Sequence, residues 1–269
     1  MKTLKSIIFS LLALLIIFYV AYCALLYNYQ TDLLFHPIKD GINTQYKYHN
    51  NYEEVFVTTQ DGNKLHTLLF KTSKPSKGLV FFLHGNAGSL FSWGKTAKLY
   101  NQIGYDVWMM DYRSFGKSEG ELTNETALFS DVDLVFEKVK LSYDLNKIIV
   151  IGYSMGTGLA TRLASLNKVR KLVLMAPYYG LDYLILEKVK AVPSFLMKFP
   201  IQTYKFIQKV RCPVYIFHGT NDGLIPITHS LKLKKLFKDV DQFLELPQQE
   251  HGGIQSNSEY IRLIQFILK

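Results

Sequence analysis

Ser154, Asp222 and His251 have the types and the chain order needed to turn a hydroxyl into a nucleophile. A serine hydroxyl is a weak nucleophile at neutral pH, so it needs a base to take its proton and a third group to orient that base. Ser154 stands at the centre of Gly152-Tyr153-Ser154-Met155-Gly156. Glycines two before and two after a serine suit a tight strand-to-helix turn, in which the hydroxyl is held exposed on a strained backbone and strand and helix approach closely. The flanks fit that reading. Ile148 to Ile151 is the continuous β-branched run of a buried parallel strand, and helical spacing begins at Gly156. A structural glycine turn that carries a serine is the alternative.

The partners come from two turn-rich loops. Asp222 ends His218-Gly219-Thr220-Asn221-Asp222 after a predicted strand at Val214 to Phe217, and His251 comes after another at Phe243 to Leu246. Active sites of open parallel sheets collect outside the carboxyl ends of such strands. The chemistry would be acyl transfer, which passes through a tetrahedral oxyanion that two converging backbone N–H groups can stabilise. Met155, directly after the serine, supplies one; Asn86 in His84-Gly85-Asn86-Ala87-Gly88 is the choice for the other, with Ala87 next. His84 competes as a base but is read as serving its own loop. Asp111 competes as the acid, and with Arg113 it is expected to organise the glycine-containing loop around Gly116 rather than hold an ion.

These loops need strands and helices to position them. Val55 to Thr58 and Leu65 to Phe70 read as an antiparallel hairpin across Gln60-Asp61-Gly62-Asn63. Gly78 to Leu83, Asp106 to Met110, Lys147 to Gly152 and Lys171 to Met175 read as further strands. Helices are predicted at Trp93 to Ile103, Glu125 to Leu141 and Ser256 to Leu268, and one beginning near Pro226. Tyr178 to Val210 breaks this alternation. Leu181, Leu184, Ile185 and Val189 share a helical face there, and Pro193 and Pro200 interrupt the residues beyond it, so a short cap over the serine is expected, leaving the pocket open. Its Lys188, Lys190, Lys198, Lys205 and Lys209 could face lipid headgroups or an acidic substrate, or form a solvated face.

Taken together, Gly152-Tyr153-Ser154-Met155-Gly156, His84-Gly85-Asn86-Ala87-Gly88, Asp111-Tyr112-Arg113 with Gly116, His218 to Asp222 and His251-Gly252 resemble the α/β-hydrolase superfamily. More narrowly, they resemble its membrane-anchored group of lysophospholipase-like and protein-depalmitoylating serine hydrolases. The likeness covers about Tyr52 to Lys269. It implies an α/β fold with an eight-stranded, mostly parallel sheet flanked by helices, and the order Ser154, Asp222, His251 is that of the superfamily. It further implies a cofactor-free mechanism but does not identify the bond as ester, thioester or amide; the leading expectation is a hydrolase of carboxylic esters or thioesters with an acyl chain. Glu250, beside His251, leaves the immediate pocket undefined. A serine aminopeptidase, or a catalytically silent fold used for binding, are the other readings.

Ile7 to Leu26 contains no charged residue, and in a helix it is long enough to span a bilayer's hydrocarbon core. Lys2 and Lys5 precede the run, and Asp32 and Lys39 are the first charges after it. The positive-inside rule then places the N-terminus in the cytoplasm and the rest on the outer side, whether periplasmic, extracellular or lumenal. The expected division is a membrane anchor at 1–28, a polar connector at 29–51 and the hydrolase domain at 52–269, with its cap at about 178–210. A cleaved signal peptide or a lipoprotein signal at Cys23 are rivals, disfavoured by the bulky Tyr22.

A chain of 269 residues suffices for one α/β domain. Its net charge of +9 comes from dispersed lysines without a nucleic-acid module, so the expected partners are an acyl substrate and the membrane, with no nucleic acid. Cys23 and Cys212 are not expected to pair, and no His or Cys cluster suggests zinc.

Overall fold

The computed structural model describes residues 2–48, 50–189 and 192–269; Lys190, one of the expected cap lysines, lies outside them. The chain opens with α1 (Lys2–Leu34) and then builds one eight-stranded sheet. Its strands are β1 (Tyr52–Thr58), β2 (Lys64–Phe70), β3 (Leu79–Leu83), β4 (Asp106–Met110), β5 (Ile148–Tyr153), β6 (Lys171–Met175), β7 (Val214–Gly219) and β8 (Gln242–Leu246). Their spatial order is β8-β7-β6-β5-β3-β4-β2-β1. In this sheet β2 runs against the other strands, antiparallel to both β1 and β4, and the hairpin closes with Thr58 opposite Lys64, across the predicted turn.

The apolar runs explain the parallel centre. Along β3, Leu79, Phe81 and Leu83 pack on one side of the sheet and Val80 and Phe82 on the other, all fully buried. On β5, Ile148 and Val150 alternate with Ile149 and Ile151 in the same way. Strands covered on both faces have no polar side to show, which is why they read as unbroken hydrophobic segments. Helices α2 (Ala97–Ile103), α3 (Glu125–Lys140), α4 (Met155–Leu166), α5 (Leu181–Lys188), α6 (Thr203–Ile207), α7 (Thr228–Lys234) and α8 (Ser258–Ile267) connect and cover the strands. Asn124 caps α3 by accepting the Ala127 N–H, and Asn257 caps α8 by accepting from Glu259 and Tyr260.

Helix α1 is 33 residues long, and within Thr3–Leu34 an 18-residue window reaches a mean hydropathy of 2.6, long and apolar enough to cross a membrane by length and composition. It continues through Tyr29 to Leu34, into the segment expected as connector. That segment is not a loose tether. Phe35 is buried against Phe199 at a centroid distance of 4.8 Å, and His36–Pro37 pairs in parallel with Ala87–Gly88.

Candidate active site

The turn between β5 and α4 holds Ser154 at φ 52° and ψ −119°, a conformation that costs a side-chain-bearing residue on the order of 1–3 kcal/mol. The neighbouring glycines show why it persists. A Cβ on Gly156 would lie 2.1 Å from the Leu83 carbonyl oxygen, and one on Gly152 would lie 2.5 Å from that of Gly156. Strand, turn and helix are therefore closer than any side chain permits. The Ser154 N–H is fixed on the Met175 carbonyl at 2.9 Å, and its hydroxyl faces a cavity.

Ser154 Oγ lies 2.9 Å from His251 Nε2, and His251 Nδ1 lies 2.8 Å from Asp222 Oδ2. An ionised carboxylate can only accept, which assigns the proton to Nδ1 and leaves Nε2 to accept the serine hydroxyl. The three predicted residues are thus joined in one hydrogen-bonded line. Gly219 makes the approach of the two loops possible, since a Cβ there would meet the Gln249 carbonyl at 2.1 Å, and the Asn221 N–H donates to that carbonyl at 3.0 Å.

Asp222 is over-supplied with donors. Its Oδ1 accepts the N–H groups of Leu224 and Ile225 at 2.9 and 2.8 Å, and His218 Nε2 stands 3.3 Å from Oδ2. Burial alone would raise this carboxyl, but hydrogen bonds from His218 and His251 and from the Ile225 N–H outweigh it and hold it well below the usual carboxylate range. His218 is itself fixed, with Nε2 2.8 Å from the Ile225 carbonyl and Nδ1 2.6 Å from Ser230 Oγ. Tyr153 donates its hydroxyl to the His251 carbonyl and places its ring edge-on to the imidazole. Neither His218 nor Tyr153 was singled out from sequence, although both stand inside the quoted motifs.

The competing groups lie elsewhere. His84 is buried, with Nδ1 2.7 Å from the Gly85 carbonyl, and burial pushes its imidazole below the usual value against the pull of Asp111. Asp111 accepts the Leu90 N–H at 2.8 Å and stands 2.9 Å from His66 Nδ1. Its carboxylate fills the space a Cβ on Gly116 would need, at 2.0 Å. Arg113 clamps Asp131 and Asp61 through pairs of hydrogen bonds of 2.6–3.0 Å. Both organise the loop, as expected. Among the described residues no group of three or more His, Cys, Asp or Glu is arranged to hold a metal ion.

Asn86 and Met155 line the same cavity as Ser154, a space of about 210 Å³. Its other walls are Tyr178, Leu181, Leu184, Ile185 and Lys188 from the segment expected as cap, Leu224 and Ile225 beside Asp222, and Leu33, Leu34, Phe35 and His36 at and just after the end of α1. Two expected cap lysines are engaged within the chain: Lys188 Nζ donates to the Leu224 carbonyl at 3.0 Å, and Lys198 Nζ sits 4.5 Å from the centroid of the Tyr27 ring.

Residues 78–200 match the family described as the alpha/beta hydrolase fold. Among solved structures, an esterase from Pyrococcus furiosus superposes with a TM-score of 0.70 at 21% identity, covering 87% of this chain and 96% of that one. This chain has the α/β-hydrolase fold. A ferulic-acid-bound structure of Est1E from Butyrivibrio proteoclasticus shares that fold, with a TM-score of 0.62 and 18% identity over 80% of this chain and 96% of its own. In sequence, human alpha/beta hydrolase domain-containing protein 17B is similar at 27% identity over 222 residues, which are 80% of this chain and 75% of the relative.

Proposed function

We propose that this chain is a membrane-anchored serine hydrolase that cleaves carboxylic esters or thioesters of acyl chains. The carrying observation is the continuous line from Ser154 Oγ through His251 to Asp222, at 2.9 and 2.8 Å. In this reading Ser154 attacks the acyl carbonyl while His251 Nε2 takes its proton, and the backbone N–H groups of Met155 and Asn86 receive the developing oxyanion. His251 then gives the proton to the leaving alcohol or thiol. Water, activated by the same imidazole, releases the acyl group from Ser154. Asp222 holds the imidazole in the required tautomer and favours its charged form during reaction.

The aliphatic walls of the cavity support an acyl substrate, and the esterase relatives in fold agree with an ester as the bond cleaved. We assign 1–28 to the anchor, 29–51 to a segment that links it to the domain, and 52–269 to the hydrolase, with the cap at about 178–210. Lys2 and Lys5 ahead of the apolar run support a cytoplasmic N-terminus and an outward-facing domain. The test is labelling by a fluorophosphonate, then rates on acetyl, octanoyl and palmitoyl esters and on aminoacyl amides. Labelling at Ser154 with ester turnover is expected. An inert Ser154 makes the chain a binding protein, and turnover of amides alone makes it a peptidase.

A further inference from the structure

A second cavity, of about 280 Å³, lies against the same flank of α1 and shares Leu33, Leu34, Ile185 and Lys188 with the cavity at Ser154. The two adjoin across these shared side chains, as a groove between α1 and the cap. On α1 its wall is the stripe Leu26, Gln30 and Leu33, whose spacing by four and three puts them on one helix face. At about 1.5 Å of rise per residue, this stripe carries the groove about 12 Å from Leu34 to Leu26. Leu26 also ends the apolar run Ile7 to Leu26, beyond which a spanning helix would leave the hydrocarbon core.

The chemistry of the walls selects the occupant. Among the described residues of the second cavity, all but Gln30 and Lys188 are aliphatic or Met, and those two polar ends have partners. The Gln30 amide donates to the Leu196 carbonyl at 2.7 Å and accepts the Lys198 N–H at 2.8 Å, while Lys188 Nζ is held by Leu224. A peptide or sugar would bury polar groups against these walls without partners, which is unfavourable for each group so buried. A helix of a second copy, about 10 Å across, needs far more room than about 280 Å³ offers. A single alkyl chain meets both limits.

We propose that one fatty-acyl chain of a bilayer lipid ester occupies this groove, with its carbonyl at Ser154, and enters sideways from the membrane along α1 at Leu26. The inference rests on the hydrolase reading above. It makes α1 part of the substrate site as well as the anchor. The acyl chain passes from hydrocarbon to groove without crossing water, and the ester bond arrives at the serine from below the cap.

The test uses full-length protein in phosphatidylcholine vesicles containing methylumbelliferyl palmitate, with methylumbelliferyl acetate as the short comparison. Val192→Trp and Met197→Trp each put an indole into the groove beyond the Ser154 cavity. The palmitate-to-acetate ratio of kcat/KM should fall about tenfold or more in each variant, as expected where a binding volume is filled. Labelling by a small fluorophosphonate confirms that each variant is folded. An unchanged ratio in variants that label normally overturns the groove and leaves the hydrolase reading intact. A second readout does not need turnover. A diazirine-bearing palmitoyl lipid photolysed in vesicles with Ser154→Ala protein should crosslink at Leu26, Leu33 or Val192. Crosslinks confined to other surfaces overturn the inference, even where loss of wild-type labelling has already removed the hydrolase reading.

Discussion

The Asn86 side-chain amide donates to the Leu34 carbonyl at 2.7 Å, and the Asn86 carbonyl accepts the His36 N–H at 2.8 Å. The loop assigned to the oxyanion is thereby fastened to the last turn of the apolar helix. Asn86→Ala keeps the backbone N–H and removes the first of these ties. A hydrogen bond of this kind is worth about 0.5–1.5 kcal/mol net, so kcat should fall about three- to tenfold with little change in KM. Steady-state kinetics on a soluble ester checks it, and an unchanged kcat would separate the helix from the loop's function.

Ser154 combines the reactive hydroxyl with a positive φ, so activity and stability should part when it is replaced. Ser154→Ala should lower turnover by roughly a thousand-fold to a million-fold and keep the backbone strain. Ser154→Gly should be equally inactive yet more stable, by on the order of 1 kcal/mol, because glycine adopts the turn without a Cβ penalty. Thermal or denaturant unfolding of the two variants reads the difference. A glycine variant no more stable than the alanine one would mean that the turn stores no strain.

The acid of the relay is tested by a matched pair. Asp222→Asn keeps size but loses the carboxylate that fixes the His251 tautomer, and turnover should fall about a thousand-fold or more. Asp111→Asn should remain active, since Asp111 serves His66 and Leu90 rather than His251. The Asp222 carboxyl is held low because hydrogen bonds from His218, His251 and the Ile225 N–H outweigh its burial. Its contribution to stability is fully present above the ordinary carboxylate value of about 4 and is lost as pH falls through its depressed folded value. Asp222→Asn should therefore flatten the acid side of the stability profile. An active Asp222→Asn with a dead Asp111→Asn would move the acid to the other loop.

Much of this arrangement is legible in the chain because its physics is local. Ile148 to Ile151 can only be comfortable buried on both faces, and Gly152 and Gly156 mark a contact too close for any Cβ. Asp222 and His251 emerge from the same reasoning at later strand ends. The contributions of His218 and Tyr153 were hidden because a histidine and a tyrosine beside a motif have many uses. Their contacts to Asp222 and to the His251 carbonyl join loops distant in sequence. The docking of α1 was hidden for another reason. Leu26, Leu33 and Leu34 belong to a helix whose hydrophobicity a membrane anchor would already account for, so nothing in their pattern shows that one stripe faces Ile185 and Val192.

The outward orientation proposed for the domain is open to a direct experiment. Protease added to intact cells or spheroplasts should digest the domain if the lysines ahead of the apolar run stay in the cytoplasm. Complete protection until the membrane is opened would reverse the topology.

The elbow's packing makes the sharpest demand on the backbone. A Cβ added at Gly156 would stand 2.1 Å from the Leu83 carbonyl oxygen and 2.6 Å from that of His84, and neither is the end of a flexible side chain. Gly156→Ala must push α4 away from β3, which also moves Met155 relative to Asn86 across the cavity. Overpacking of this kind costs typically about 1–3 kcal/mol and more where backbone is the obstacle. The variant should lose that much stability and about a hundred-fold or more in kcat, since displacements of about 1 Å at a reacting centre have effects of that size. Gly223→Ala is the control, in the same loop as Asp222 but with open space around the position of a Cβ. It should leave folding unchanged. Urea unfolding and ester kinetics on the two proteins decide the matter, and a Gly156→Ala enzyme with wild-type stability and rate would show that strand and helix are free to separate there.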